Sequence, residues 1–333
     1  MNKIAIVILN WNGKGFLEKF LPSVIKFSQN AEIIIADNCS TDNSIDFLIA
    51  NYPEIRIIKL KENYGFAKGY NEALKEVNAT YFVLLNSDVE VTENWLNPCI
   101  KLLESDAFIG ACQPKIKAYH NKEYFEYAGA AGGFIDKYGY PFCRGRIFDT
   151  LEKDTSQYDN ETEVFWASGA CLFVKSSVFS QLGGFDATFF AHMEEIDLCW
   201  RMQHLGYKVM FTHLSTVYHV GGGTLNKTNP RKTFLNFRNN LLMLYKNLPK
   251  QKRFSIILIR LLLDGIAGIK FLVEEKPKHT LAVIKAHFAF YKLRHAYPSK
   301  NIPCLNLKGY YNKNILVSYY LKKQRLFSKI GFR

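Results

Sequence analysis

The chain has 333 residues, 48% hydrophobic and 15% aromatic, a composition that supports a packed core and excludes a disordered polypeptide. Its formal charge of +13 is unevenly held: residues 250–333 carry 18 Lys/Arg against 3 Asp/Glu, a net +15, which leaves residues 1–249 at −2. Seven cysteines lie far apart with no Cys-x-x-Cys pair, which argues against a disulfide framework or a structural zinc site and for a reducing, cytoplasmic compartment.

The apolar run 4–9 is too short for a secretion signal or a membrane span and has the composition of a buried strand. Similar runs at 33–36, 55–60 and 81–85 alternate with amphipathic stretches of helical length, which predicts an α/β fold with a mainly parallel sheet flanked by helices. Ligands bind such sheets beyond the carboxyl ends of the strands. The polar clusters fall there: NWNG at 10–13, DNCSTDNS at 37–44, ENYGFAKGYN at 62–71 and NSD at 86–88. No Gly-x-Gly-x-x-Gly follows the first strand and no Gly-x4-Gly-Lys-Ser/Thr occurs anywhere, so a dinucleotide site and a P-loop are disfavoured. Asp88, just past the apolar YFVLL, has the chemistry to hold a hard cation that also binds a diphosphate.

From about 105 to 165 the periodicity loosens, and the segment is expected to be irregular and to carry acceptor-binding loops. A strand and a short helix follow in VFWASGACLFVKSSVFSQLGGFD, residues 164–186. HMEEIDLCWR, residues 192–201, then places Glu194, Glu195 and Asp197 within four positions. A helix starting near Glu194 puts acids in its favourable first turn, pairs Asp197 with Arg201 at i, i+4, and turns Glu195 about 100° from its neighbours. His219, after the strand that Gly206 introduces, is a further candidate ligand.

The basic region, 250–333, is expected to form amphipathic helices apart from the catalytic unit at 1–249. Its stretch 253–273 is nearly long enough to span a bilayer, but Arg260, Asp264 and Lys270 interrupt it, which favours an interfacial helix and peripheral contact with an anionic membrane. Nothing resembling a nucleic-acid recognition module accompanies the charge, so no nucleic acid partner is expected.

Read in order, VILNWNG, IIIADNCSTDNS, ENYGFAKGYN, VLLNSD, ASGACLFVKSSVFSQLGGFDATFFAHMEEIDLCWR and VYHVGG resemble the family 2 glycosyltransferases of GT-A fold, within their rhamnosyltransferase-like bacterial group, over roughly residues 3–245. The resemblance implies a Rossmann-like GT-A domain that moves a sugar, with inversion, from a UDP- or dTDP-sugar to a hydroxyl acceptor. A lipid-linked or surface-polysaccharide glycan is the acceptor expected of it, since membrane attachment through the basic region would bring a cytoplasmic enzyme to such a glycan at the inner face of the cell membrane. By position, Asp37 matches the acid that binds the donor nucleobase, and Asn10 and Asn63 match residues lining the nucleotide pocket. Asn86, Ser87 and Asp88 match the Asp-x-Asp motif, whose last acid binds Mg²⁺ or Mn²⁺; His219 matches a histidine that completes the metal site in some members. Glu195 matches the general base; Glu194, beside it, either steadies the helix start or touches the acceptor.

Two departures stand out. Asn86 replaces the first Asp of the motif, and Glu195 stands where the family more often has Asp, which sets its carboxylate one methylene further out. Two rivals remain at this point. A nucleotidyltransferase on a related sheet needs a second metal-binding carboxylate, which Asn86 does not supply; a non-catalytic sugar-nucleotide or glycan-binding protein has no use for Asp88, Glu195 and His219 together.

Overall fold

The computed structural model describes residues 2–221, 229–297 and 306–332. The expected alternation opens the chain: β1 (Asn2–Asn10), α1 (Lys14–Phe27), β2 (Glu32–Asp37), α2 (Ser44–Asn51), β3 (Arg56–Lys59), α3 (Gly65–Leu74) and β4 (Ala79–Asn86). These strands pair in parallel in the order β4-β1-β2-β3, so their carboxyl ends share one edge. Side chains of β1 alternate between two cores: Ile4, Ile6 and Ile8 pack with α1, while Ala5 and Val7 join Tyr70 and Ala73 of α3 on the opposite face.

Beyond β4 come β5 (Val89–Val91), α4 (Leu96–Ser105), β6 (Ile109–Ala118), β7 (Gly133–Asp136), β8 (Pro141–Cys143), β9 (Arg146–Ile147), β10 (Thr150–Leu151) and β11 (Thr162–Glu163). β12 (Cys171–Lys175), α5 (Ser176–Gln181), α6 (Glu194–His204) and β13 (Lys208–His219) follow. The main sheet continues from β4 through β12, β6 and β13 to β11; β12 runs antiparallel to both its neighbours, and β5 pairs with β13. The segment 105–165 is therefore more ordered than its sequence suggests. It supplies a central strand, β6, and four strands of a second sheet in the order β10-β9-β8-β7. Strands of two to four residues are too short to display a period, which hides them from a pattern reading.

The chain ends with α7 (Pro230–Asn247), α8 (Lys250–Val273), α9 (Pro277–Leu293) and β14 (Tyr310–Tyr311). β14 pairs in parallel with β7, and Tyr311, Ile315, Tyr319 and Ile330 enter the same core as Phe134 and Phe142. In α8 two of the three charges that interrupt the apolar run turn toward the protein, while Lys270 stays exposed. Arg260 and Asp264 are buried and pair at 2.7 Å, and the guanidinium also donates to the Tyr138 carbonyl (3.0 Å) and covers the Tyr140 ring at 3.7 Å. Among the described residues no helix is long and apolar enough to cross a membrane.

Candidate active site

Every residue singled out by sequence lies at or just beyond a strand or helix end. Asn10 closes β1 and Asp37 closes β2; they are partners in register and both are buried. Asn10 Nδ2 lies 3.2 Å from Asp37 Oδ1, 3.1 Å from Ser40 Oγ and 3.0 Å from Ser44 Oγ, whereas its Oδ1 has no partner. Asp37 Oδ2 accepts from the Ser40 amide at 3.1 Å, which fixes the carboxylate in its loop. A Cβ on Gly13 would stand 2.5 Å from Asn10 Oδ1, so the glycine leaves room for the Asn10 amide at the end of β1.

Asn63 Oδ1 accepts from the Gly65 amide (2.9 Å) and from Asn38 Nδ2 (3.1 Å). Asn38, which the sequence reading did not single out, also donates to the Gly65 carbonyl (3.0 Å) and accepts from the Tyr64 amide (3.0 Å). Its only sequence signal is its position next to Asp37.

β5 pairs with β13 in a register that sets His219 opposite Val89, one residue from Asp88. Asp88 Oδ1 and His219 Nε2 are 3.1 Å apart, Asn86 Nδ2 is 3.4 Å from the same nitrogen, and the other ring nitrogen, Nδ1, faces Glu126 Oε2 at 3.3 Å. Asp88, His219 and Glu126 are all buried. Burial works against charge on His219, but Glu126 and Asp88 together lift it to about 10. Burial likewise raises both acids, and the opposed imidazolium outweighs it, leaving Asp88 and Glu126 below their ordinary range. Glu126 belongs to no sequence motif. It is placed by the turn after β6, where its Oε2 accepts from the Ala128 amide.

α6 begins as expected at Glu194, and Asp197 pairs with Arg201 at 2.7 Å. Lys246 (2.9 Å) and Asn247 (2.7 Å) of α7 complete the shell of Asp197; burial raises its pKa, but the charges of Arg201 and Lys246 outweigh it and hold the acid low. Glu194 and Glu195 differ: an Oε2 of each is shielded and without a hydrogen-bond partner. Burial, then Glu195, pushes Glu194 well above the carboxylate range. Burial lifts Glu195 to about 7 against the pull of the amides at the helix start.

The approach to α6 is strained, with Phe190, His192 and Met193 at φ of +64°, +72° and +75°. Asn239, buried in α7 and unmarked in sequence, holds this turn: its Nδ2 reaches the carbonyls of Phe189 (2.8 Å), Ala191 (2.9 Å) and His192 (2.8 Å). Residues 168–170 join the parts. The Ala170 carbonyl accepts from the Asn86 amide (3.0 Å), and a Cβ on Gly169 would lie 3.1 Å from the Phe66 ring and 3.8 Å from Glu195 Cβ. The Phe66 amide in turn donates to the Phe190 carbonyl at 2.7 Å. The structure thus brings one edge of the sheet, the loop leading into α3 and the start of α6 around a common point.

Among the described residues no group of three or more His, Cys, Asp and Glu side chains is arranged to hold a metal by itself. With the Nε2 proton released, Asp88 and His219 would nevertheless fit a hard divalent cation as a two-ligand site: a carboxylate oxygen and an imidazole nitrogen converge, and a carboxylate backs the histidine on its other nitrogen.

The Glycosyl transferase family 2 description matches residues 5–173, just over half of the chain. The chain belongs to glycosyl transferase family 2. A curated relative from Mycobacterium tuberculosis, N-acetylglucosaminyl-diphospho-decaprenol L-rhamnosyltransferase, is 24% identical over 65% of this chain and 75% of its own length. Among solved structures, GalNAc-T7 with UDP, GalNAc and Mn²⁺ superposes with a TM-score of 0.57 at 16% identity, over 74% of this chain and 48% of that one, so this family 2 chain spans about half of that protein. The mannosyltransferase PcManGT from Pyrobaculum calidifontis, in complex with GDP-Man and Mn²⁺, gives 0.53 at 12% identity over 87% of each chain. These likenesses show the GT-A-like fold, and the family makes the chain a glycosyltransferase that draws on a nucleotide-sugar donor.

Proposed function

We propose that the protein transfers a sugar, with inversion at the anomeric carbon, from a UDP- or dTDP-sugar to a hydroxyl of a lipid-linked or surface-polysaccharide glycan at the inner face of the cell membrane. The observation that carries this reading is Glu195, whose shielded, unpartnered carboxyl oxygen is poised near neutral pH to take a proton. An acceptor hydroxyl attacking opposite the leaving diphosphate needs such a base. Glu194, whose burial beside Glu195 favours its neutral form, orients the acceptor.

Asp37 and Asn10 hold the nucleoside, the free Asn10 Oδ1 offering an acceptor. Asn63 acts through Asn38 by keeping the loop leading into α3 in shape, while Ser87 contributes its hydroxyl at the diphosphate. Asp88 and His219 would hold Mg²⁺ or Mn²⁺. Bound there, the cation neutralises charge on the departing diphosphate. Asn86, an amide where the motif has its first acid, lies 3.4 Å from His219 Nε2 and is not assigned as a ligand. The rhamnosyltransferase relative and its lipid-diphosphate name support a deoxysugar donor and a lipid-linked acceptor.

Purified protein incubated with Mn²⁺, an acceptor glycolipid and a panel of nucleotide sugars should release nucleoside diphosphate and form the inverted anomer by NMR. Release of pyrophosphate would instead identify a nucleotidyltransferase, and retention at the anomeric carbon would remove the role given to Glu195.

A further inference from the structure

α8 is built inside out. Its protein-facing side carries Arg253, Arg260 and Asp264, all buried, while Phe254, Leu258, Leu262, Ile266, Ile269 and Val273 are exposed on the other side. Steps of three and four residues keep these six on one stripe, roughly 30 Å long at 1.5 Å per residue. Phe254 and Val273, at its two ends, are 79% and 78% exposed. α9 repeats the arrangement with Leu281, Ile284 and the 73% exposed Phe288. Single exposed apolar side chains are ordinary on a protein surface, but a continuous ridge marks a face that something apolar covers.

The charges beside the ridge select the cover. Lys278, Lys285 and Lys292 recur every seven residues along α9, and with Lys252 they have no acidic partner among the described residues. Lys278 and Lys285 join Arg231, Phe234 and Leu281 in lining a cleft of about 320 Å³ between the start of α7 and α9. Leu281 belongs to both cleft and ridge, so cationic and apolar surfaces are continuous. A second copy of this chain would bring like charges together. An anionic bilayer offers acyl chains to the ridge and phosphates to the cleft.

We propose that the outward faces of α8 and α9 seat the protein in the surface of an anionic lipid bilayer, with the Arg231, Lys278 and Lys285 cleft holding lipid phosphates. This sharpens the membrane contact expected of the basic region: the α8 charges Arg260 and Asp264 serve the fold, and the apolar stripe does the inserting. Arg231 also lies 4.7 Å over the Phe190 ring, so the cleft adjoins the segment leading to Glu194. The inference rests on the proposed function for the acceptor's location alone, not for the transfer chemistry.

Full-length protein sedimented with vesicles of phosphatidylcholine, or of phosphatidylcholine and phosphatidylglycerol in equal parts, tests it. Wild type should pellet with the mixed vesicles; Leu262→Glu/Ile266→Glu, folded by circular dichroism, should lose about tenfold or more in partitioning, and Lys278→Glu/Lys285→Glu should lose the preference for phosphatidylglycerol. Wild type left in the supernatant with both vesicles, or a ridge variant that pellets as wild type does, overturns the proposal. So does a wild-type dimer in analytical ultracentrifugation that the ridge variant converts to monomer without any vesicle binding. Nucleoside diphosphate release from a nucleotide sugar in solution, measured on the same ridge variant, reads the transfer chemistry separately.

Discussion

Glu126 backs His219: its Oε2 lies 3.3 Å from Nδ1, the ring nitrogen that does not face Asp88. A carboxylate in that place fixes the ring's orientation and raises the basicity of Nε2, as outer-shell partners of metal-binding histidines do. Glu126→Ala should therefore weaken Mn²⁺ binding about 10- to 100-fold, read by electron paramagnetic resonance titration with a nucleoside diphosphate present. Glu126→Gln, which keeps a hydrogen-bonding oxygen, should lie between. Equal Mn²⁺ affinity in all three proteins would make Glu126 a packing residue.

Glu195→Gln should lower turnover about 10²- to 10⁴-fold while leaving donor affinity unchanged. As the proposed base, Glu195 works ionised, and burial lifts its carboxyl to about 7, so the wild-type rate should rise with pH and level off above about 7. Loss of that limb in the variant is the signature to measure.

The same carboxyl makes a prediction of opposite sign for stability. Folding lifts Glu195 from 4.5 to about 7, so the fold favours its protonated form. That contribution is complete below pH 4.5 and is lost as pH rises through 7. Since Gln mimics the neutral acid, Glu195→Gln should melt at a higher temperature than wild type at pH 8 and match it at pH 4, by differential scanning calorimetry. A variant less stable at pH 8 would show Glu195 to be a structural ion.

Asn239→Ala should cost about 3 kcal/mol in urea unfolding, since it strips the donor from carbonyls in a turn already held at positive φ. Asn239→Asp keeps the shape but loses the donor, and should cost as much. Both should reduce turnover beyond their effect on donor binding, because the turn they release aims Glu194 and Glu195.

Ile315→Ala should destabilise by about 2–4 kcal/mol, as expected for a fully buried side chain in the main core. A chain ending after 305 should fare worse, because Phe134 and Phe142 lose the aromatic cover of Tyr311, Phe327 and Phe332. Unchanged thermal unfolding of that shortened chain would mean the tail is an appendage.

The parts of this protein that announce themselves in sequence are those governed by local rules. β1, β2 and β4 carry unbroken apolar runs, and the polar residues that end them fall on one sheet edge because parallel strands share a direction. Asp197 and Arg201 are legible through helical spacing alone. Glu126 and Asn239 are not, since each acts across a long loop on a partner 93 or 47 to 50 residues away, and nothing nearby marks either as unusual. α8 shows a different limit: periodicity reveals two faces but not which one meets the protein. Arg260 and Asp264 would ordinarily be assigned to water; the Tyr138 carbonyl and the Tyr140 ring, more than a hundred residues upstream, take them inward.

The pairing of β14 with β7 orders events in time. Tyr310 lies beside Ile135, so the small sheet keeps an open edge until a strand made 175 residues later arrives, whereas β1 to β4 have all their mutual partners by residue 86. Closing so long a loop is slow relative to the local strand and helix pairings at the start of the chain. The nucleotide half can therefore take shape early on the ribosome, while the small sheet, with Phe134 and Phe142 still uncovered, is the stretch most in need of a chaperone during synthesis.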